Sequence, residues 1–226
     1  MSRADLLTDL SADRAAALAL IPVTADTEKR LAIYAELLLK WQKTINLVAA
    51  STLPHLWTRH FADSLQVAAA APDARIWVDL GTGGGFPGLI TAIVLADAVG
   101  ARVHLIESDQ RKCAFLREVS RETGAAAEIH VGRIEDIAPA IHGPFDAVSA
   151  RALAPLPQLL RLAEPLLKKG AVGLFLKGQH LEDELTDSVT TRRYKIEMRK
   201  SRTSASAHLL LVKDRFAEPL APLAEI

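Results

Sequence analysis

Asp79-Leu80-Gly81-Thr82-Gly83-Gly84-Gly85-Phe86-Pro87-Gly88 is the stretch whose reading decides the fold. A short apolar run, Ile76–Leu80, leads into it with the character of a buried strand, and an apolar helix follows from near Pro87. Glycines let a chain turn tightly and approach a ligand without Cβ clashes, and proline suits the first turn of a helix. Strand, glycine loop and helix in that order form the first crossover of a doubly wound sheet. Ligands in such sheets bind at the carboxyl ends of the strands, near the switch in strand order.

Four more buried strands are read downstream, at Val103–Glu107, Ala127–Val131, Phe145–Ala150 and Ala171–Lys177, with helical stretches between them. Strands alternating with helices imply βαβ units and a parallel sheet covered on both faces. Tyr194–Lys200 and Ala207–Val212 are strand-like runs joined only by a Ser/Thr-rich turn, a link short enough for an antiparallel pair alone. The expected fold class is therefore α/β: a doubly wound, mostly parallel seven-stranded sheet, Rossmann-like, with an N-terminal helical extension. The extension is assigned to residues 1–73 and the core to residues 74–226.

Within the extension, Leu31, Tyr34, Leu38, Trp41 and Ile45 recur at helical spacing, which predicts a helix from Asp26 to Asn46 capped by Asp26 or Thr27. Weaker helical patterns cover Ala4–Leu20 and about Leu53 to Ala70. Of the 226 residues half are hydrophobic, and 27 basic residues balance 27 acidic ones, so any nucleic-acid affinity must come from local clustering. Arg192, Arg193, Lys195, Arg199, Lys200 and Arg202 crowd the last hairpin, while Arg111, Lys112, Arg151 and Lys177 stand near strand ends beside the glycine loop. The single cysteine, Cys113, fits a reducing cytoplasm and excludes an intrachain disulfide. No membrane span or leader is read, since the apolar run Ala15–Ile21 is too short and the segment before it bears acids.

Gly83 to Gly88 also satisfies G-x-G-x-x-G, the dinucleotide pattern, and a nicotinamide-dependent oxidoreductase is one reading of it. Asp79 separates the two. A carboxylate two residues before the first glycine suits the ammonium of a methionine moiety and would repel a pyrophosphate, so S-adenosylmethionine is the expected cofactor. Glu107, ending the second strand, is placed to accept ribose hydroxyls with either ligand. The segment after the fourth strand, Ser149-Ala150-Arg151-Ala152-Leu153-Ala154, has neither the Asn/Asp-Pro-Pro-aromatic run used on exocyclic amines nor the cysteine that carbon-5 pyrimidine methylation needs. Seven histidines, at 55, 60, 104, 130, 142, 180 and 208, show no metal-ligand spacing, and no metal is expected.

Trp41-Gln42-Lys43-Thr44-Ile45-Asn46-Leu47, Arg59-His60-Phe61-Ala62-Asp63-Ser64-Leu65, the glycine loop, Ser149-Ala150-Arg151-Ala152 and Leu176-Lys177-Gly178 together resemble the bacterial 16S ribosomal RNA guanine-N7 methyltransferases. The resemblance runs from about Ile33 to Val212. It implies methyl transfer from S-adenosylmethionine to N7 of guanine 527 in the 530 loop of 16S rRNA, by a cytoplasmic monomer whose substrate is the RNA or the small subunit. It also implies cofactor contacts at Gly81, Gly83, Phe86, Ile134, Glu135 and Arg151, alongside Asp79 and Glu107. Asp136 serves as well as Glu135 on the residues alone. Arg151 and Lys177 are expected at the reaction centre, and Asn46, His60, Asp63 and Lys112 along the RNA path. His60 and Asp63 read equally as an i, i+3 surface pair. Gly84 stands where many relatives carry alanine or proline, and is expected to add flexibility. A small-molecule methyltransferase and a non-catalytic RNA-binding module are rival readings of the same residues.

Overall fold

The computed structural model describes residues 3–178, 181–185 and 192–217. The chain opens with helices α1 (Arg3–Leu20) and α2 (Ala25–Trp41), a 3₁₀ turn (Ala50–His55), a π-helical turn (Trp57–Ala62) and α3 (Asp63–Ala69). Then come β1 (Ile76–Leu80), α4 (Gly88–Val94), β2 (Arg102–Glu107), α5 (Gln110–Thr123), β3 (Ala127–Val131), α6 (Ile134–Ala140), β4 (Ala147–Arg151), α7 (Leu156–Leu167), β5 (Val172–Lys177), α8 (Leu181–Leu185), β6 (Tyr194–Lys200) and β7 (His208–Asp214).

The seven strands form one sheet in the order β3-β2-β1-β4-β5-β7-β6. β1 to β5 run parallel, and β7 pairs antiparallel with both β5 and β6. The doubly wound sheet and its late hairpin are those expected. Strand order reverses between β1 and β4, so the loops leaving these two strands open a crevice at the switch point. One face packs Trp77, Val103 and Leu105 with Leu89 and Phe115, and also with Leu31, Tyr34, Leu38 and Phe61 of the amino-terminal helices. The other packs Val78, Ile106 and Val148 with Leu156, Leu160 and Leu167 of α7.

Strand limits differ from the sequence reading by one or two residues, as at β4 and β7, and the amino-terminal helices differ in three further ways. Thr24, rather than Asp26 or Thr27, caps α2, its hydroxyl accepting from Thr27 N at 3.2 Å. The helix stops at Trp41 rather than Asn46, because the Gln42 side chain takes over the next amides: its Oε1 accepts from Leu47 N (2.9 Å) and Val48 N (3.1 Å). Ile45 stays buried outside the helix. The expected helix from Leu53 to Ala70 is broken into the 3₁₀ turn, the π turn and α3, with Asp13 of α1 accepting from Trp57 N (2.7 Å) and Thr58 N (3.2 Å) at the π turn's start. Among the described residues no helix is long and apolar enough to cross a membrane.

Candidate functional site

The loop after β1 is braced from three sides. Gly81, Gly83 and Gly85 have φ of +63°, +58° and +102°, conformations that side chains resist. Tyr34, fully buried in α2, donates its hydroxyl proton to Gly84 O, and burial pushes that phenol well above its ordinary pKa. A Cβ on Gly84 would stand 2.9 Å from Leu47 O, in the turn that Gln42 holds. Gly84 therefore gives close packing against the 42–48 turn instead of the flexibility expected of it.

Asp79 is wholly buried at the end of β1. The register sets it beside Ser149 of β4, whose Oγ donates to Asp79 Oδ1 at 2.6 Å, and Gly88 N donates to Oδ2 at 3.0 Å. Burial pushes the carboxyl up to about 6 against these bonds. Both oxygens thus tie the loop's two ends and the neighbouring strand together. Glu107 accepts from Gly83 N (Oε2, 2.9 Å) and from Asp109 N (Oε1, 2.8 Å), so the second acid also grips the loop. Ile134, opening α6, lies against Gly81, its Cδ1 3.6 Å from where a Cβ would be. Glu135 and Asp136 are both exposed in the first turn of that helix.

Phe86 is only 4% exposed, stacked on Tyr34 (5.5 Å between centroids) and tilted against His60 (5.1 Å). The Arg151 guanidinium lies over its other side, Cζ 4.9 Å from the ring centroid, a favourable cation–π geometry. Arg151 ends β4, and its donors run to Arg59 O (3.1 Å), Asp63 Oδ2 (3.3 Å) and His60 Nδ1 (2.6 Å). Ala152, next along, has φ +51°, the one non-glycine residue at positive φ among the described residues. Such strain persists where surroundings over-determine the backbone, often at functional sites.

His60 and Asp63 are 8% and 7% exposed, which rules out the surface-pair reading. Burial first, then the Arg151 and Arg59 charges, lower His60 to about 3. Its Nε2 meets Thr52 Oγ1 at 2.8 Å. Asp63 Oδ1 accepts from Thr203 Oγ1 (2.7 Å) and Gln66 Nε2 (2.9 Å), and Gln66 Oε1 accepts from Arg202 N (3.1 Å). The Ser/Thr-rich turn between β6 and β7 therefore docks on α3.

A cavity of about 300 Å³ opens beside this network, lined by Arg59, His60, Asp63, Arg151, Ala152 and Lys177 among others. Lys177 Nζ faces inward, 2.7 Å from Glu184 Oε2 and donating to Ala154 O at 2.9 Å. Asn46 and Lys112 are placed elsewhere: Asn46 is exposed in the 42–48 turn, and Lys112 is in the first turn of α5, neither lining this cavity. A larger cleft, about 640 Å³, lies at the strands' amino ends, but its Asp146 and Asp214 are engaged by Arg75 N, Ile76 N and Arg193. Arg193 is also paired with Glu164, and Arg199 with Glu197, so part of the basic run on the last hairpin is neutralised. His180 lies outside the described residues.

Comparison with known proteins decides what this geometry serves. The family described as rRNA small subunit methyltransferase G matches residues 27–210. The chain belongs to that family. Family membership makes it an S-adenosylmethionine-dependent methyltransferase of ribosomal RNA. Ribosomal RNA small subunit methyltransferases G from Bradyrhizobium strains BTAi1 and ORS 278 are 56% and 53% identical to it, the alignments covering 90% and 93% of this chain and 91% and 95% of theirs. Among solved structures, a methyltransferase from Geobacter sulfurreducens shares the fold at TM-score 0.59 and 16% identity, over 88% of this chain and 94% of that one. The O-methyltransferase TomG from Streptomyces achromogenes, solved with S-adenosylmethionine, does so at 0.57 and 20%, over 90% and 96%.

Sequence reasoning missed Tyr34, Gln42, Gln66 and Thr203 as parts of the site. Tyr34 carried a signal only as an apolar helix position, Gln42 bonds locally to the turn that follows it, and Gln66 and Thr203 bond across the fold in ways that no spacing announces.

Proposed function

We propose that this family member methylates N7 of a guanine, that of the 530 loop in 16S rRNA, and does so without a general base. The observation that carries this reading is the engagement of His60: Arg151 donates to its Nδ1, and its Nε2 is bonded to Thr52. Guanine N7 has an in-plane lone pair, unprotonated at neutral pH, so no proton need leave when it attacks.

The residues present fit the cofactor. Gly83, where an added Cβ would meet nothing nearer than Gly81 O at 3.9 Å, leaves room for a ligand at the loop, Glu107 reaches the loop's edge where ribose hydroxyls would exchange with Gly83 N, and Ile134 offers an apolar wall next to Gly81. When bound, S-adenosylmethionine supplies an electrophilic methyl on a sulfonium. Asp79 contributes negative charge behind the loop, and Gly83, Phe86 and Glu135 complete the cofactor's surroundings. Arg151, clamped by His60, Asp63 and Phe86, orients the reactants at the carboxyl ends of β1 and β4. Lys177 shapes the far wall of the cavity through Ala154 O. Holding reactants in line supplies the acceleration, a gain of roughly 7–11 kcal/mol for well-oriented groups. Residues 1–73 complete the substrate cleft of the core formed by residues 74–226, with Asn46 and Lys112 along the outer RNA path, and the enzyme acts as a cytoplasmic monomer.

Single-turnover methyl transfer, with RNA and cofactor saturating, tests the reading across mildly acidic to mildly alkaline pH. A flat profile and a product mapped to guanine N7 are expected. A bell-shaped profile that collapses when one histidine or carboxylate is replaced would overturn the base-free mechanism, and a methyl group on any other atom would overturn the assignment.

A further inference from the structure

His104, Glu128 and His130 carry no part of the site described above, yet the fold gathers them. β2 and β3 pair His104 with Glu128 and Ile106 with His130. A strand's period of two therefore sets all three side chains on one face of the sheet, at its edge. His104 Nδ1 stands 2.9 Å from His130 Nε2, and the Glu128 carboxylate turns a different oxygen to each nitrogen, Oε2 3.6 Å from His104 Nδ1 and Oε1 3.6 Å from His130 Nε2, with one ligand atom from each of the three residues falling within 4.8 Å of the others. In a tetrahedral zinc site with bonds of about 2.0–2.2 Å, neighbouring donor atoms stand roughly 3.3 Å apart. The imidazole pair is slightly closer than that and the carboxylate slightly farther, so small side-chain rotations suffice to bring one oxygen and both nitrogens onto a single ion. No sequence spacing betrays the group, because two of its members face each other across strands 24 residues apart.

We propose that His104, Glu128 and His130 bind one divalent transition-metal ion. Two imidazoles and one carboxylate, with a fourth position left to water, are a donor set that suits zinc. The donors are held in place beforehand. His104 is buried, its ring edge-on to Phe145 (84° between planes, 6.0 Å between centroids), and both strands are paired along this length. Arg102 Nη1 lies 3.6 Å from Glu128 Oε2 and is the cation that the ion has to displace. The ion's role is structural. It would fasten edge strand β3 to β2 just before Gly132 and the turn into α6.

Tag-free, chelator-treated full-length protein, dialysed against low-micromolar zinc and analysed for metal, tests this site. One retained equivalent per chain is expected, weakened roughly tenfold or more by His130→Ala and by Glu128→Gln. Zinc should also raise the thermal midpoint of the parent and not of His130→Ala. Retention unchanged in both variants, or no retained zinc in the parent, overturns the site and leaves an imidazole pair bonded to each other. Glu128 is exposed and His130 half-buried, so both variants should keep the parent's far-ultraviolet circular dichroism; if His130→Ala does not, Glu128→Gln decides.

Discussion

Arg151 Nη2 and His60 Nδ1 stand 2.6 Å apart, and since a guanidinium only donates, the contact fixes His60 as acceptor, with its one proton on Nε2 toward Thr52. A histidine at the reaction cleft is thereby made a strut.

This tautomer sets how His60 variants should behave. Glutamine reproduces both bonds, its amide oxygen toward Arg151 and its amide nitrogen toward Thr52, so His60→Gln should retain transfer within a few-fold of the parent. His60→Ala leaves a buried guanidinium donor unpaired, at a cost of about 1–3 kcal/mol, and should slow single-turnover transfer at least tenfold. Because the folded imidazole protonates only near 3, its stabilising contribution is full above the ordinary histidine pKa and is lost as pH falls toward 3. Acid unfolding followed by circular dichroism should therefore be shifted to lower pH in His60→Gln; an unchanged acid limb would contradict the buried neutral ring.

Asp79 has the opposite dependence. Its folded pKa is raised to about 6 from 3.8, so the associated stability is present below 3.8 and disappears as pH rises through 6. Above that, the buried charge costs about 3 kcal/mol. Asp79→Asn keeps an acceptor for Gly88 N and a partner for Ser149, and should raise unfolding free energy by about 1–3 kcal/mol at about pH 8 while changing it little at about pH 4. Urea titrations at the two pH values check the sign. Cofactor affinity should fall in the same variant, since the negative charge behind the loop is gone.

Gly84→Ala isolates the packing of the loop on the 42–48 turn. Its new Cβ meets Leu47 O at 2.9 Å, in a turn whose Leu47 N, Val48 N and Val48 O are all bonded to Gln42 and which therefore yields poorly. A loss of about 1–3 kcal/mol is expected from overpacking, with weaker S-adenosylmethionine binding by calorimetry. Unchanged values for both would mean that the 42–48 turn moves freely.

Arg59 and Lys177 line the same cavity and should differ in their salt response. Arg59 is exposed, whereas the Lys177 side chain is 12% exposed and bonded to Glu184 and Ala154 O. Arg59→Ala should reduce the slope of log RNA affinity against log salt by about 0.7, the value for one single-strand phosphate contact. Lys177→Met should leave the slope alone and lower the transfer rate. A slope change for Lys177 would instead make it a phosphate ligand.

The sheet was legible because its signals are local. Five apolar runs alternate with helical stretches, and glycines at 81, 83 and 85 demand a turn that few other folds place after a strand. Asp79, Glu107, Phe86, His60, Asp63 and Arg151 were singled out, and the fold brings all six around the loop. Less legible was what each one touches. Asp79 reads as a group awaiting a cation, but its first partners are Ser149 and Gly88, set by the β1–β4 register. The end of α2 was misplaced because apolar periodicity continues through Ile45, whose amide still bonds Trp41 O in a turn, while the Gln42 side chain takes the amides of Leu47 and Val48 that a longer helix would have used. Periodicity reports burial, and burial outlasts the helix there.

The bond from Thr203 to Asp63 ties together residues 140 apart and has a bearing on when the enzyme becomes competent. Asp63 steadies Arg151, and its own second anchor comes from the β6–β7 hairpin, which follows all five parallel strands in the chain. A nascent chain that has emerged only through β5 already possesses every glycine of the loop, both acids and Arg151, yet lacks the residue that latches the helix bearing Asp63. The latch closes a loop of 140 residues, and it can form only once the β6–β7 turn has been made. Synthesis order thus places this last contact after the glycine loop, both acids and Arg151 have been made.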